Sequence, residues 1–373
     1  MPILEFSVKG YRSLQNLTLP LNHINVITGS NGCGKSNLYN SICLLGKTSE
    51  GNLAKTLALE GGMPSVLWAG ERENYTRTKK PVRMILAVKT ETFSYELSLG
   101  LPAGISITRF SLDPEVKEEY VWYGNKRRPS TTYLERKAKS TWVTNQAGET
   151  VPYPLALTQT ESILSQLHEP HLYPELSCIR EFMRNWRFYH HFRTDIYSPL
   201  RFPQVGVRTP VMSNDGTDYA AALQTIIEIG DHKALFSAID DAFPGCELII
   251  ESIQSRFEVQ LKQPGIKRPL EARELSDGTL RYLCLIAALL SPRPPQFLAI
   301  NEPEMSLHPD LIEPLANLIY KASHYSQIWV TTHSQRLSEC LSKLSRQAPI
   351  VLTKNEGCTE ISNYHNYNVV IPL

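Results

Sequence analysis

A chain of 373 residues with 42% hydrophobic and 20% charged residues carries enough apolar content for one large core or two smaller ones, which excludes a disordered or low-complexity protein. The formal net charge of +1 gives no long-range field to draw in a polyanion, so any nucleic-acid contact has to come from local patches. Seven cysteines without a Cys-x-x-Cys pair argue against a disulfide framework and a structural zinc site, and as reduced thiols they predict a cytoplasmic location.

The first element is a strand-like run, Ile3-Leu4-Glu5-Phe6-Ser7-Val8, with no basic-then-apolar leader, so no signal peptide is expected. A second apolar strand, Ile24-Asn25-Val26-Ile27-Thr28, runs into Gly29-Ser30-Asn31-Gly32-Cys33-Gly34-Lys35-Ser36 and then a helix-like stretch, Asn37 to Leu45. Strand, Gly-x4-Gly-Lys-Ser and helix together form a complete phosphate-binding loop. Its glycines let successive backbone N–H groups point at phosphate oxygens, and the helix N-terminus favours an anion. Asn31, Gly32, Cys33, Gly34, Lys35, Ser36 and Asn37 are therefore the expected nucleotide contacts. Lys35 would reach the outer phosphates and the Ser36 hydroxyl would ligate Mg²⁺, so ATP and Mg²⁺ are the expected cofactors.

Val82 to Leu99 alternates as two antiparallel strands would. Two basic stretches flank this region. Arg72, Arg77, Lys79, Lys80, Arg83 and Lys89 form one, and Lys126, Arg127, Arg128, Arg136, Lys137 and Lys139 the other, with Tyr75, Trp122, Tyr123 and Tyr133 interleaved. Aromatic and basic residues so mixed suit base stacking, although solvated loops of mixed charge give the same pattern. Residues from about 160 to 235 look helical, with Pro174-Glu175 opening one helix and Asp218 to Ile229 another. Leu248 to Ile253 and Arg256 to Leu261 return to strand-like alternation. Prolines at 129, 152, 154, 170, 174, 199, 203 and 210 exclude a long coiled coil here.

Residues 274–290 begin with a polar Ser276-Asp277-Gly278 cap and continue as a helix that is apolar nearly all round. Such a helix must be buried, and Ser276 suits its N-cap. Its apolar run Leu283 to Leu290 is too short to span a bilayer, and no membrane partner is expected. Phe297-Leu298-Ala299-Ile300 then runs into Asn301-Glu302-Pro303-Glu304, a buried parallel strand ending in an acid at the edge where ligands collect in open α/β sheets. A helix over about Leu311 to Ser323 leads to Gln327-Ile328-Trp329-Val330-Thr331-Thr332-His333, a further strand ending in a histidine.

This set of motifs resembles the ABC-type heads of SMC, RecF and OLD-like proteins. It is more closely similar to stand-alone ATPases of the AAA family, whose Leu-Ser-Asp-Gly-Thr-Leu-Arg signature matches Leu275 to Arg281. The resemblance extends to Pro64–Gly70 and Trp186–Phe192, and so runs nearly end to end. It implies an α/β fold: an ABC-type P-loop NTPase head of two lobes with mixed β-sheet and a helical insertion. The expected divisions are 1–155 for the N-terminal lobe, 156–245 for the insertion and 246–373 for the C-terminal lobe.

The resemblance also implies roles. Glu302 would be the catalytic glutamate that polarises the attacking water, and His333 the switch histidine on the γ-phosphate. Ser276 and Gly278 would close on nucleotide held by a second subunit, making an ATP-dependent homodimer. Arg12, in Gly10-Tyr11-Arg12-Ser13-Leu14, would lie near the phosphates. Asn301 stands where most such heads have Asp and would belong to the Mg²⁺ shell with one negative charge fewer; Glu304 could restore part of it. The glutamine that usually completes that shell is pinned by no motif, with Gln159 and Gln166 as candidates. Slow ATP hydrolysis in DNA maintenance, repair or phage defence is the expected function, with DNA or a partner protein as further ligands. The alternative is a nucleotide-dependent regulatory switch that binds a protein partner and barely turns over.

Overall fold

The computed structural model describes residues 1–70, 82–102, 108–124, 126–137 and 140–362. In chain order these form β1 (Ile3–Tyr11), β2 (Leu14–Pro20), β3 (Ile24–Gly29), α1 (Lys35–Lys47), α2 (Leu53–Leu59), α3 (Met63–Val66), β4 (Met84–Thr90), β5 (Phe93–Gly100), β6 (Glu115–Tyr123), β7 (Thr132–Lys137), β8 (Ser140–Thr144) and β9 (Thr150–Pro152). The chain continues as α4 (Ile163–Gln166), α5 (Pro174–Arg184), β10 (Arg187–Tyr189), β11 (Gln204–Val205), α6 (Tyr219–Ile229), α7 (His232–Ala242), β12 (Glu247–Ile253), β13 (Arg256–Lys262) and β14 (Leu270–Glu271). Last come α8 (Asp277–Leu289), β15 (Phe297–Asn301), α9 (Ile312–Ala322), β16 (Gln327–Thr331), α10 (Gln335–Ser345), β17 (Ile350–Asn355) and β18 (Cys358–Ile361). Two units result: Met1–Asn22 with Gly29–Trp186 and the chain from Ile350, and His23–Thr28 with Arg187–Pro349.

The first unit is built on an eight-stranded antiparallel sheet in the order β2-β1-β4-β5-β6-β7-β8-β9. The alternation expected over Val82 to Leu99 is realised in β4 and β5, where Met84, Leu86 and Val88 pair with Leu99, Leu97 and Tyr95 and all six are fully buried. Helix α1 buries Leu38, Ile42 and Leu45 at helical spacing. A buried ion pair joins β6 to β7: Arg136 Nη1 lies 3.3 Å from Glu119 Oε2, with side chains 2% and 0% exposed. Further hydrogen bonds surround the pair. Arg136 donates to the carbonyls of Thr158 and Glu161, and Glu119 accepts from Ser162, Ile163 N and the Tyr95 hydroxyl.

These contacts correct the reading of the basic stretches. Arg136 is interior, Trp122 is 7% exposed, and Arg83, Lys89 and Lys137 pair with Glu118, Glu5 and Glu135. Arg127 stacks over the Tyr120 ring at 3.7 Å. Arg72, Tyr75, Arg77, Lys79, Lys80 and Lys139 lie outside the described residues.

In the second unit four parallel strands lie in the order β10-β15-β16-β3. Register places Asn301, Thr331 and Ile27 in one row at the carboxyl ends of β15, β16 and β3. Helix α8 is buried from Leu280 to Leu289 without a break, as its all-round apolar sequence requires. A smaller sheet in the order β11-β13-β12, with β14 on β13, packs its Leu248, Val259 and Leu261 into the same core.

Residues 156–245 carry α4 to α7, but between α5 and α6 the chain runs through β10, β11 and irregular segments. The boundary between the two units falls there, after Trp186. A three-residue strand such as β10 is too short to show a period in sequence, and its stability comes from pairing with β15.

Candidate nucleotide site

Strand β3 continues without a break into the phosphate-binding loop, whose last glycine, Gly34, caps α1 in the left-handed region at φ 108°. A Cβ on Gly34 would sit against the Thr359 hydroxyl and 2.9 Å from Ser13 Oγ, so only glycine fits both the backbone and the space. No side chain caps α1, which leaves its first N–H groups facing outward for an anion. Lys35 is 5% exposed and donates to Gly29 O at 2.6 Å and Ser30 O at 2.9 Å, curling the loop over its own ammonium. An ammonium has three donors, and the third faces the Cys33 thiol sulfur, a weak acceptor. Ser36, Asn31 and Gly32 are exposed, whereas Cys33 is buried with Sγ 3.9 Å from Lys35 Nζ.

The back of the loop is held by a relay that the motif does not contain. Asn37 Nδ2 donates to Ser13 Oγ at 2.8 Å, Ser13 and Thr359 hydroxyls are 2.7 Å apart, and Thr359 donates to Cys33 O at 2.8 Å. Asn37 thus serves loop support through Ser13. Arg12 adopts φ 47° and pairs with Glu60 at 2.8 Å. Glu60 also accepts the Tyr11 hydroxyl, whose pKa is raised by burial and then by this carboxylate. Gln166, weighed as a metal-shell ligand, spends its amide on Thr158, Glu161 and Ser162 and therefore braces a local turn.

In the second unit the chain turns sharply after Asn301. Glu302 adopts φ 49°, a region L-residues seldom occupy. Its N–H donates to Thr331 O at 2.7 Å, and its Oε1 lies 3.1 Å from Nε2 of His333. Both side chains are partly exposed, at 28% and 41%. Glu304 Oε1 accepts from the Thr332 hydroxyl at 2.6 Å and from the N–H groups of His333 and Ser334 at 2.9 and 3.1 Å. That carboxylate shapes the turn that presents His333.

The Ser276 side chain caps α8 by accepting from Thr279 N at 3.1 Å. Asp277 is tied to Arg201 Nη2 at 2.6 Å, and the same guanidinium takes the carbonyls of Arg273 and Leu275. A Cβ on Gly278 would lie 2.6 Å from Ser306 O, which accounts for glycine at that position. One turn on, buried Arg281 donates to Glu302 O at 3.3 Å and faces His191 Nδ1 at 3.4 Å. Burial pulls Arg281 below its ordinary pKa while Glu304 and Glu302 push it back. Burial, then Arg281, likewise lowers His191.

A family profile described as "AAA domain, putative AbiEii toxin, Type IV TA system" matches residues 24–339. The chain belongs to this AAA-domain family. Among solved structures, an SMC head bound to the C-terminal winged-helix domain of ScpA matches with a TM-score of 0.53 at 15% identity, covering 97% of each chain. An SMC head domain from Thermotoga maritima gives 0.43 at 17%, covering 97% of this chain and 98% of that one. A Pyrococcus furiosus Smc head with an extended coiled coil, bound to the C-terminal domain of ScpA, gives 0.49 at 15%, covering 96% and 95%. The first of these shows the fold, an ABC-type ATPase head of the SMC kind. Comparison with curated proteins returned no match.

In this AAA-domain chain the second unit pairs Glu302 with His333, with Arg281 on the Glu302 carbonyl and Glu304 on the His333 N–H, while Ser276 and Gly278 open the helix that carries Arg281. The first unit gathers Asn31 to Asn37 on one loop, with Arg12 held by Glu60. Asn301 Oδ1 and Glu304 Oε2 are buried with no hydrogen-bond partner, and among the described residues no group of three His, Cys, Asp or Glu could hold a metal. Two such acceptors do not make a dedicated protein metal centre. Sequence reading missed Ser13, Thr359, Arg201 and the bracing part of Glu304. Arg281 was visible in the signature but had no assigned task. Among the described residues no helix is long and apolar enough to cross a membrane.

Proposed function

We propose that the chain is an ATP-dependent head that binds ATP with Mg²⁺, closes as a homodimer around it and hydrolyses it slowly. The observation that carries this reading is the Glu302–His333 pair, 3.1 Å apart at the ends of two adjacent parallel strands. Lys35, Ser36 and the N–H groups of α1 take the triphosphate. Mg²⁺, held through the Ser36 hydroxyl, would supply charge to the phosphates. With His333 Nε2 3.1 Å from Oε1 of Glu302, Oε2 would take a proton from water. The water oxygen bonds to the γ-phosphorus as the bond to the bridging oxygen breaks, giving ADP and phosphate. Ser276 and Gly278, exposed and half-buried at the head of α8, are offered to the nucleotide of the second copy.

The test is molar mass by light scattering for wild type and Glu302→Gln, each with and without ATP and Mg²⁺, alongside phosphate release. A mutant dimer that forms only with ATP, and does not turn over, is expected. A mass that ignores nucleotide in both proteins would overturn the dimer cycle.

A second reading rests on Asn301, which removes a negative charge where turnover would use it: a nucleotide switch acting on a protein partner. The ScpA-bound SMC head is in keeping with a protein partner, and the toxin–antitoxin wording of the family description with a defence role. DNA maintenance is the competing task, and the carboxylate pairing of Arg83, Lys89, Arg136 and Lys137 lowers its support. Turnover indistinguishable between wild type and Glu302→Gln, with ATP binding intact, would decide for the switch.

A further inference from the structure

The first unit holds a cavity of about 450 Å³ with no role in nucleotide chemistry. Its walls include Phe93, Tyr123, Tyr133, Ile179, Met1 and Glu175. Phe93 and Tyr123 are register partners on β5 and β6, so their rings share one face of the sheet; Phe93 is 5% exposed and Tyr123 55%. Glu175 stands in the first turn of α5, where the helix dipole favours a negative charge. It has no ion pair or hydrogen bond among the described residues, and no Lys, Arg or His lines the cavity. Burial and then the nearby Glu175 carboxylate raise the Tyr133 hydroxyl above its ordinary pKa.

Three aromatic rings and the Glu175 carboxylate, with no Lys, Arg or His side chain among the described lining residues, are complementary to one kind of guest. We propose that this cavity binds a small organic cation, an alkyl-ammonium group on a metabolite-sized ligand. The ring faces of Tyr123 and Tyr133 contact its methyl or methylene groups and Glu175 balances its charge. The volume lies in the small-molecule range, and the lining follows the pattern of such sites, mostly apolar with a few polar groups, Glu175 the charged side chain among them.

Calorimetric titration of the full chain tests this with choline against its neutral isostere 3,3-dimethylbutan-1-ol. Choline should bind, and the isostere should bind roughly tenfold or more weakly. Glu175→Gln and Tyr123→Ala should each weaken choline by roughly tenfold. Tyr123→Phe should retain it, and circular dichroism would verify that all three variants fold. No heat with choline, equal binding of the isostere, or an unaffected Glu175→Gln would each overturn the assignment. Binding of an arginine-containing peptide without choline would also overturn it, in favour of a protein docking point.

Discussion

The carboxylate of Glu304 accepts three hydrogen bonds from the Thr332–Ser334 turn, so Glu304→Ala strips the support from His333 without touching the phosphate-binding loop. Losing hydrogen bonds to a charged acceptor costs about 2–3 kcal/mol. Thermal denaturation should therefore show a lower Tm, and ATP binding should be retained while phosphate release falls. Unchanged turnover in this variant would mean that His333 needs no such bracing. Asn301 carries a different expectation, because its Oδ1 is buried and unpartnered. Asn301→Asp should raise turnover if missing charge limits Mg²⁺; equal rates at saturating Mg²⁺ would show that charge is supplied elsewhere. Lys35, Ser36 and Glu302 were readable from sequence because each belongs to a contiguous run whose chemistry is set by neighbours one to seven residues away. Ser13 and Thr359 were not, since the hydroxyls that meet behind the loop stand 346 residues apart.

Helix α8 ties together features that the sequence showed separately. Its cap carries Ser276, its first turn meets Ser306 at Gly278, and Arg281 one turn later holds the Glu302 carbonyl. A displacement of this one rod is therefore felt both at the signature and at the acid. Gly278→Ala would force a Cβ to 2.6 Å from Ser306 O, an overpacking typically worth about 1–3 kcal/mol. ATP-dependent dimerisation, followed by light scattering, should be lost while monomeric nucleotide binding persists. A normal dimer would show that the turn yields instead. The burial of α8 and the strands β4, β5, β12, β13, β15 and β16 followed from periodicity or apolar runs. The segment between α5 and α6 did not, because β10 is three residues long and β11 two. Elements that short owe their form to partners brought from elsewhere.

The Glu119–Arg136 pair anchors the antiparallel sheet, and breaking it should matter more than any surface charge. Arg136→Leu leaves a buried carboxylate uncompensated, for which about 3–5 kcal/mol is the usual penalty. Denaturant unfolding of the first unit should shift accordingly, and a midpoint matching wild type would contradict the buried network. A different consequence follows from the order of the parallel sheet. Strand β3 is made from residues 24–29, yet its register partner β16 is made from residues 327–331 and the next strand, β15, from 297–301. At ribosomal speeds of roughly 5–20 residues per second, this early strand waits about 15–60 s before its neighbour exists. During that interval Ile24, Val26 and Ile27 are an unpaired apolar segment on a nascent chain. A chaperone or provisional local structure would keep that segment from pairing elsewhere until β16 has been made.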